Sequence, residues 1–443
     1  MKHKILKYSA VCSSLLVALS AHANTPEGAA FHGYLNYGAG FTNDEVLNQG
    51  AYNWAGTGGN IFKLPGFYHA DTSGGRLGND GNWVQLQGDY GRNQNDMNWG
   101  AHVMFSTNGY SDNFVPEWIY VDGKGVISSM PEATIWAGQK YVNRVSTPLV
   151  INEALASDGV GFGFEKIDID FAALDLSVTR NLYNSYEGGS MRMGDIVMFS
   201  SAFRGIEITD TLNTELYLNY GTYIGPNRDE IDPNTGNKYS DDVPDNYQVG
   251  LKFNHDSGNF HHQLFLRYSS EANQVPTREW AWLPRASDMI GGFFYGKYQL
   301  TDSNRLEYTY AHETSKYDDK ARQGSASYNS IDSLQSDWDS FIVRNTYNWN
   351  TRTSTLIELG YEQIKQKAVN PSEDGTNSGY KATIAQAVHI GNGEWDRPVI
   401  NFYVTYAELD TETAAGTTSW DRDGVKLGKH DAVTVGVNLE AWW

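Results

Sequence analysis

Three groups of residues have the types and spacing that could do chemistry. Adjacent acids, Asp241-Asp242 and Glu373-Asp374, carry the side chains of a glycosidase pair, in which one carboxyl protonates the leaving group and the other attacks or activates water. Both pairs lie in stretches dense with Asn, Gly and Ser, the composition of solvated loops, so they read as loop acids. His261-His262 has no partner at i+4 and no cysteine nearby, so no metal-ligand set is read there. With neither a G-x-S-x-G elbow nor a P-loop, nothing points to an enzyme or to a bound cofactor. The third group is aromatic: Tyr34, Trp83, Trp338 and Trp442. Aromatic rings edged by polar groups suit a pyranose, whose C–H face stacks while its hydroxyls hydrogen-bond.

The elements that must position these rings follow from a period of two. In Val433-Thr434-Val435-Gly436-Val437-Asn438-Leu439-Glu440-Ala441-Trp442-Trp443 every odd position is apolar, so one face meets an oily phase and the other water. The same alternation recurs in Trp83–Gln87, Gln263–Tyr268, Asp339–Asn345 and Thr355–Tyr361, and in about seventeen segments from Phe31 to Trp443, mostly about 8–13 residues long. It sends Leu35, Tyr37, Val84, Leu86, Phe341 and Val343 to the oily face. His32, Tyr34, Asn36, Trp83, Gln85, Trp338, Arg344 and Trp442 then fall on the wet one.

Composition narrows the class. The chain has 443 residues, 13% of them aromatic and 19% charged, with 45 glycines and a single cysteine. Residues 1–23 read as a secretory signal peptide: Lys2, Lys4 and Lys7 precede the apolar run Val11–Leu19, and Ala21-His22-Ala23 is an A-x-A cleavage site. Cys12 leaves with that segment, so the remaining 24–443 offers no disulfide scaffold. It carries 30 basic against 53 acidic side chains, a charge that repels a polyphosphate backbone, so nucleic acid is not an expected partner. No apolar run of about 18 residues follows, hence no transmembrane helix.

Alternating strands joined by unequal connections describe a membrane barrel. Tight polar links such as Thr301–Asn304 and Asn350–Thr353 alternate with long links at 41–75, 224–245, 315–337 and 411–430. Outer-membrane barrels have short periplasmic turns and long external loops. A final strand ending in Trp443 would pair with the first and leave no open edge. Single-chain bacterial barrels have even strand numbers, so an eighteenth strand is placed in the weakest region, 114–122. The reading is an 18-stranded antiparallel transmembrane β-barrel forming one domain over 24–443. A secreted β-sandwich lectin or hydrolase is the competing class.

At this point the chain resembles the maltoporin family of sugar-specific porins over essentially all of 24–443. The resemblance is carried by Phe31-His32-Gly33-Tyr34, Arg76-Leu77-Gly78-Asn79, Ile135–Lys140 with Arg144, Gly159–Asp168, Trp395-Asp396-Arg397-Pro398 and the terminal Trp442-Trp443. It implies a homotrimer in the bacterial outer membrane, among its lipid and lipopolysaccharide. An aromatic track would guide oligosaccharides through each pore by facilitated diffusion. By motif, Tyr34, Trp83, Trp338 and Trp442 match track positions. The aromatic contributed by a neighbouring subunit would be Tyr110 or Phe114, and the remaining track position finds only Gln248.

The family's inward-folded third loop would span about 140–158, where Leu149-Val150-Ile151 is apolar for an exposed segment. Arg76 and Arg144 keep basic constriction positions. Glu153 stands where maltose-type members place a tyrosine, Ser146 where they have an aspartate, Gln85 where they have a glutamate, and Asn36 and Glu117 where they have arginines. A constriction made more acidic by these changes favours cations and neutral sugars over anions. The expected function is therefore passage of maltodextrins or related oligosaccharides; a general or cation-preferring diffusion porin is the alternative.

Overall fold

Alternation of β-branched and aromatic residues with small or polar ones is what a sheet wet on one face and oily on the other requires, and the chain forms such a sheet. The computed structural model describes residues 25–43, 62–66, 74–79, 81–108, 114–150, 154–180, 196–223, 245–272, 286–319, 331–391, 396–417 and 422–443. The signal segment 1–23, Tyr110, Glu153 and the pair Asp241-Asp242 lie outside them.

Eighteen strands run in chain order: β1 Gly28–Thr42, β2 Trp83–Gln94, β3 Met97–Asn108, β4 Val115–Lys124, β5 Thr134–Lys140, β6 Gly159–Asp168, β7 Ala173–Arg180, β8 Ile196–Thr209 and β9 Leu212–Tyr223. They continue as β10 Asn246–Ser257, β11 Phe260–Ala272, β12 Ala286–Thr301, β13 Asn304–Lys316, β14 Ser333–Asn350, β15 Thr353–Ala368, β16 Gly375–His389, β17 Val399–Thr411 and β18 Gly428–Trp442. Each pairs antiparallel with its neighbours in sequence, and β18 pairs with β1, so the sheet closes into a barrel. The strand expected at 114–122 is β4. It escapes a periodicity count because a bulge breaks its alternation: Met104 pairs with Trp118 but Phe105 with Pro116, so Glu117 and Trp118 are both buried.

Closure rests on a close approach at the termini. The Trp443 ring lies over Gly33, where a Cβ would come within 2.1 Å of it, and backbone bonds run between Gly33 and Trp443 in both directions at 3.2 and 3.3 Å. Only a residue without a side chain fits beneath that indole.

The faces alternate as the sequence indicates. Val433, Val435, Phe341, Leu359 and Ile384 are exposed on the outer wall, whereas Thr434, Ile342, Glu358 and Thr383 between or beside them are buried. Near the end with long connections, outward tyrosines donate to carboxylates one step further along: Tyr220 to Asp245, Tyr268 to Asp288 and Tyr310 to Asp339 at 2.8 Å, and Tyr380 to Glu408 at 2.9 Å. Rings in the apolar band with their hydroxyls toward polar groups form the aromatic girdle of a membrane barrel.

The lipid-facing band should reject charge. Leu359→Arg, at a position 50% exposed and flanked across the sheet by Val343 and Ala382, should cost about 2–4 kcal/mol in urea unfolding from lipid vesicles, and Leu359→Val far less.

Candidate functional site

Register brings three of the four aromatics of the sequence reading onto one inner stripe. Across the closing seam Tyr34 faces Trp442 on β18 and Gln85 on β2, while Asn36 faces Trp83. Directly opposed residues have Cβ atoms about 4.5–5.5 Å apart, so the rings are neighbours by strand pairing alone.

Polar side chains edge this stripe. The Tyr34 hydroxyl donates to Glu440 Oε1 at 3.0 Å. Arg397 Nη2 lies 2.6 Å from Glu440 Oε2, and Arg76 Nη2 is 3.9 Å from Oε1. The Arg397 guanidinium also sits 4.3 Å over the Trp442 ring, within cation–π range. Asn36 accepts from Asn438 at 2.5 Å. Trp83 Nε1 and Gln85 Nε2 find no acceptor among the described residues.

Trp338 lies elsewhere. It is on β14, four strand spacings from β18, about 19 Å along the wall at about 4.8 Å per strand. Only 1% exposed, it donates its indole N–H to Glu362 at 2.5 Å and packs in the cluster that holds Leu149, Val150 and Leu155. It is enclosed by protein within that cluster, which also holds Phe62 and Leu64. Alternation gave its inward direction but not its cover.

The apolar segment of the 140–158 region does turn inward. Val145 to Val150 and Ala154 to Ser157 are buried, Asn219 of β9 donates to Leu155 O at 3.2 Å, and Thr179 of β7 to Ser157 O at 2.7 Å. Arg144 binds Asp158 at 2.5 Å and stacks 3.4 Å from the Tyr141 ring. Glu117 accepts from Tyr141 and Ser106, both at 2.5 Å, so its carboxylate is held by hydroxyls. Ser146 is buried, and Gln248, inward on β10, accepts from Asn219 at 3.0 Å. Phe114 is 48% exposed beside the start of β4, in the long-connection region between β3 and β4.

A second insertion was not foreseen. Segments 62–66 and 74–79 belong to a long link expected outside the barrel, yet Phe62, Leu64, Arg76 and Leu77 are buried against the inner wall. Lys381 Nζ donates to Leu77 O at 2.7 Å and to Glu358 at 2.8 Å, Glu358 accepts from Leu77 N at 2.9 Å, and Arg344 Nη2 pairs with Glu358 at 2.5 Å. Nearer the long-connection end, Asn377 of β16 donates to Pro65 O at 2.8 Å and Thr413 O at 2.9 Å. Its oxygen accepts from Glu412 N and Thr413 N at 3.0 and 3.1 Å. One amide side chain therefore latches two long links. No local composition signals the burial of 62–66 and 74–79, because their partners Asn377 and Lys381 are some 300 residues distant in sequence.

The other candidates resolve simply. Asp374 accepts from Ala368 N at 2.7 Å and Glu373 is exposed in a short 3-10 turn. His261 and His262 point to opposite faces: His261 inward on Asp256 at 2.7 Å, His262 outward on Tyr308 at 3.0 Å. Sequence reasoning missed a wall of inner aromatics, Trp118, Tyr120 and Trp136, packed against Tyr141 and capped by Lys140 at 5.2 and 5.3 Å. These rings face protein groups, so they brace the wall behind Tyr141 and Val142.

The latch has a measurable consequence. Asn377→Ala leaves two carbonyls and two amide hydrogens without their partner, a loss of about 1–3 kcal/mol, and should enlarge single-channel conductance and open-channel noise in planar bilayers while the barrel stays resistant to detergent at room temperature.

Solved structures similar in shape include OccD3 (OpdP) of Pseudomonas aeruginosa, 12% identical with 94% of this chain and 92% of that chain covered at a TM-score of 0.47. The anion-selective porin of Comamonas acidovorans is 12% identical, with 94% and 99% covered at 0.43. Wzi of Escherichia coli, a carbohydrate-binding β-barrel involved in group 1 capsule assembly, is 11% identical, with 96% and 85% covered at 0.45. In sequence, the family model for LamB porins matches residues 29–443. The chain thus belongs to the LamB porin family, the maltoporins, and is a porin of the bacterial outer membrane.

Proposed function

We propose that this porin passes oligosaccharides, maltodextrins or close relatives, by facilitated diffusion along the aromatic stripe of its seam. The observation that carries the reading is the register of β18, β1 and β2, which sets Trp442 beside Tyr34 and Trp83 one step further on. A pyranose stacking on one ring reaches the next without leaving the wall, and each contact is weak enough to release it. Glu440, Arg397 and Asn36 border the rings with acceptors and donors for hydroxyls, and Trp83 Nε1 and Gln85 Nε2 are donors that a hydroxyl oxygen would satisfy.

Charge at this site favours neutral sugars for a reason different from the one composition suggests. The acids of the inner wall meet cations or hydroxyls: Glu440 has Arg397, Glu358 has Lys381 and Arg344, and Glu117 has Tyr141 and Ser106. Paired charges offer hydrogen bonds while exerting little net field on a passing solute. We further propose a homotrimer embedded among outer-membrane lipid and lipopolysaccharide, with Phe114 or Tyr110 supplied to a neighbour's pore, after residues 1–23 are removed on export.

The alternative, a diffusion porin whose aromatics are structural, separates cleanly. In planar bilayers, maltotriose should block the ion current saturably, and Trp442→Ala should weaken that block about two- to tenfold, since one stacked ring is worth about 0.5–1.5 kcal/mol. Trp338→Ala, which opens the packed inner cluster, should instead alter conductance. Current indifferent to maltotriose, sucrose and β-glucosides alike would favour the diffusion porin.

A further inference from the structure

We propose that the outward pair His255 and His262 is a binding site for a divalent transition-metal ion, zinc(II) being the ion whose geometry fits. The two residues stand directly opposite each other on β10 and β11, close to the tight turn at Gly258-Asn259. They lie on the outer wall at the short-turn, periplasmic rim, on the opposite face from His261, which turns inward to Asp256. The inner-wall transport route does not involve them.

Geometry distinguishes the pair from two interfacial rings that merely neighbour one another. Their Nδ1 atoms are 3.4 Å apart, beyond the about 2.7–3.2 Å of a good N–H hydrogen bond. Two nitrogens each about 2.0–2.1 Å from a tetrahedral ion stand roughly 3.3–3.4 Å apart. The rings are parallel within 6° with centroids 5.7 Å apart, so edges rather than faces meet. A modest rotation of each about its Cβ–Cγ bond turns both lone pairs onto an ion beside them.

The surroundings supply what a ligating imidazole needs. With Nδ1 on the ion, His262 Nε2 bears the hydrogen and donates to the Tyr308 hydroxyl 3.0 Å away on β13, the outer contact that fixes tautomer and ring plane. Phe294, nearly parallel at 5.6 Å, and Phe260 at 5.9 Å hold the same ring in place. Both histidines are half-buried, so an ion held by them would complete its coordination with water. Imidazole suits zinc(II) and copper(II) and selects against magnesium and calcium. The bound ion would clamp β10 to β11 and, through Tyr308, bind this hairpin across β12 to β13.

The test titrates Zn2+ into the full protein, purified in detergent without a polyhistidine tag, by calorimetry with thermal unfolding in parallel. The expected result is one ion per chain in excess of the His255→Gln/His262→Gln variant, with unfolding moved to higher temperature by Zn2+ in the parent only. Each single substitution should weaken binding tenfold or more, and Tyr308→Phe about tenfold. Conductance of the variants should match the parent, which shows them folded. Equal Zn2+ binding by parent and double variant would overturn the site.

Discussion

Everything in this molecule depends on the pairing of its last strand with its first. A sheet inside a bilayer cannot leave backbone groups unpaired, and β18 against β1 removes the only edges an eighteen-strand sheet would have. That seam fixes register through the Trp443 indole seated on Gly33. The same register sets Tyr34 beside Trp442 and Trp83 one step away. Slipping β18 by one residue would turn every side chain to the opposite face, opening the barrel's apolar band and dispersing the aromatic stripe together. Closure and binding surface are thus one feature of the chain.

The inner wall does a second job, holding inserted backbone. Segments that enter a barrel carry unpaired amides and carbonyls, each costly to bury alone. Here the wall answers them with charged and amide side chains: Lys381 and Glu358 take Leu77 O and N, Asn377 takes Pro65 and Thr413, Asn219 takes Leu155, and Thr179 takes Ser157. Around the same wall, charges alternate from strand to strand. Glu307 on β13 faces Arg344 on β14, which pairs with Glu358 on β15, which pairs with Lys381 on β16. Buried ions persist because each meets its opposite and spare hydrogen bonds are filled.

What the sequence discloses follows the range of the interactions. Period two is local, so strand identity, face and the sorting of tight and long connections are readable, as Val433–Trp443 and Thr301–Asn304 illustrate. Register between distant strands is not local, yet the terminal Trp442-Trp443 and the Phe31–Tyr34 motif bracket it, which is why the seam aromatics could be named in advance. The bulge at Glu117 breaks periodicity and hides both β4 and the Trp118 wall. The insertion of 62–66 and 74–79 depends on Lys381 and Asn377, hundreds of residues away, and leaves no local trace. Trp338 shows the limit in one residue: its direction is given by parity, but its burial in a cluster shared with the inserted Phe62, Leu64 and Leu149 is a tertiary fact.

The central claim is that the seam which closes the barrel is also where sugar binds. An experimental structure of the protein saturated with maltotriose tests it most directly. The account requires glucosyl rings stacked over Trp442, Tyr34 and Trp83, with hydroxyls on Glu440 or Arg397. Sugar ordered on another part of the wall, with the seam rings unoccupied, would contradict it.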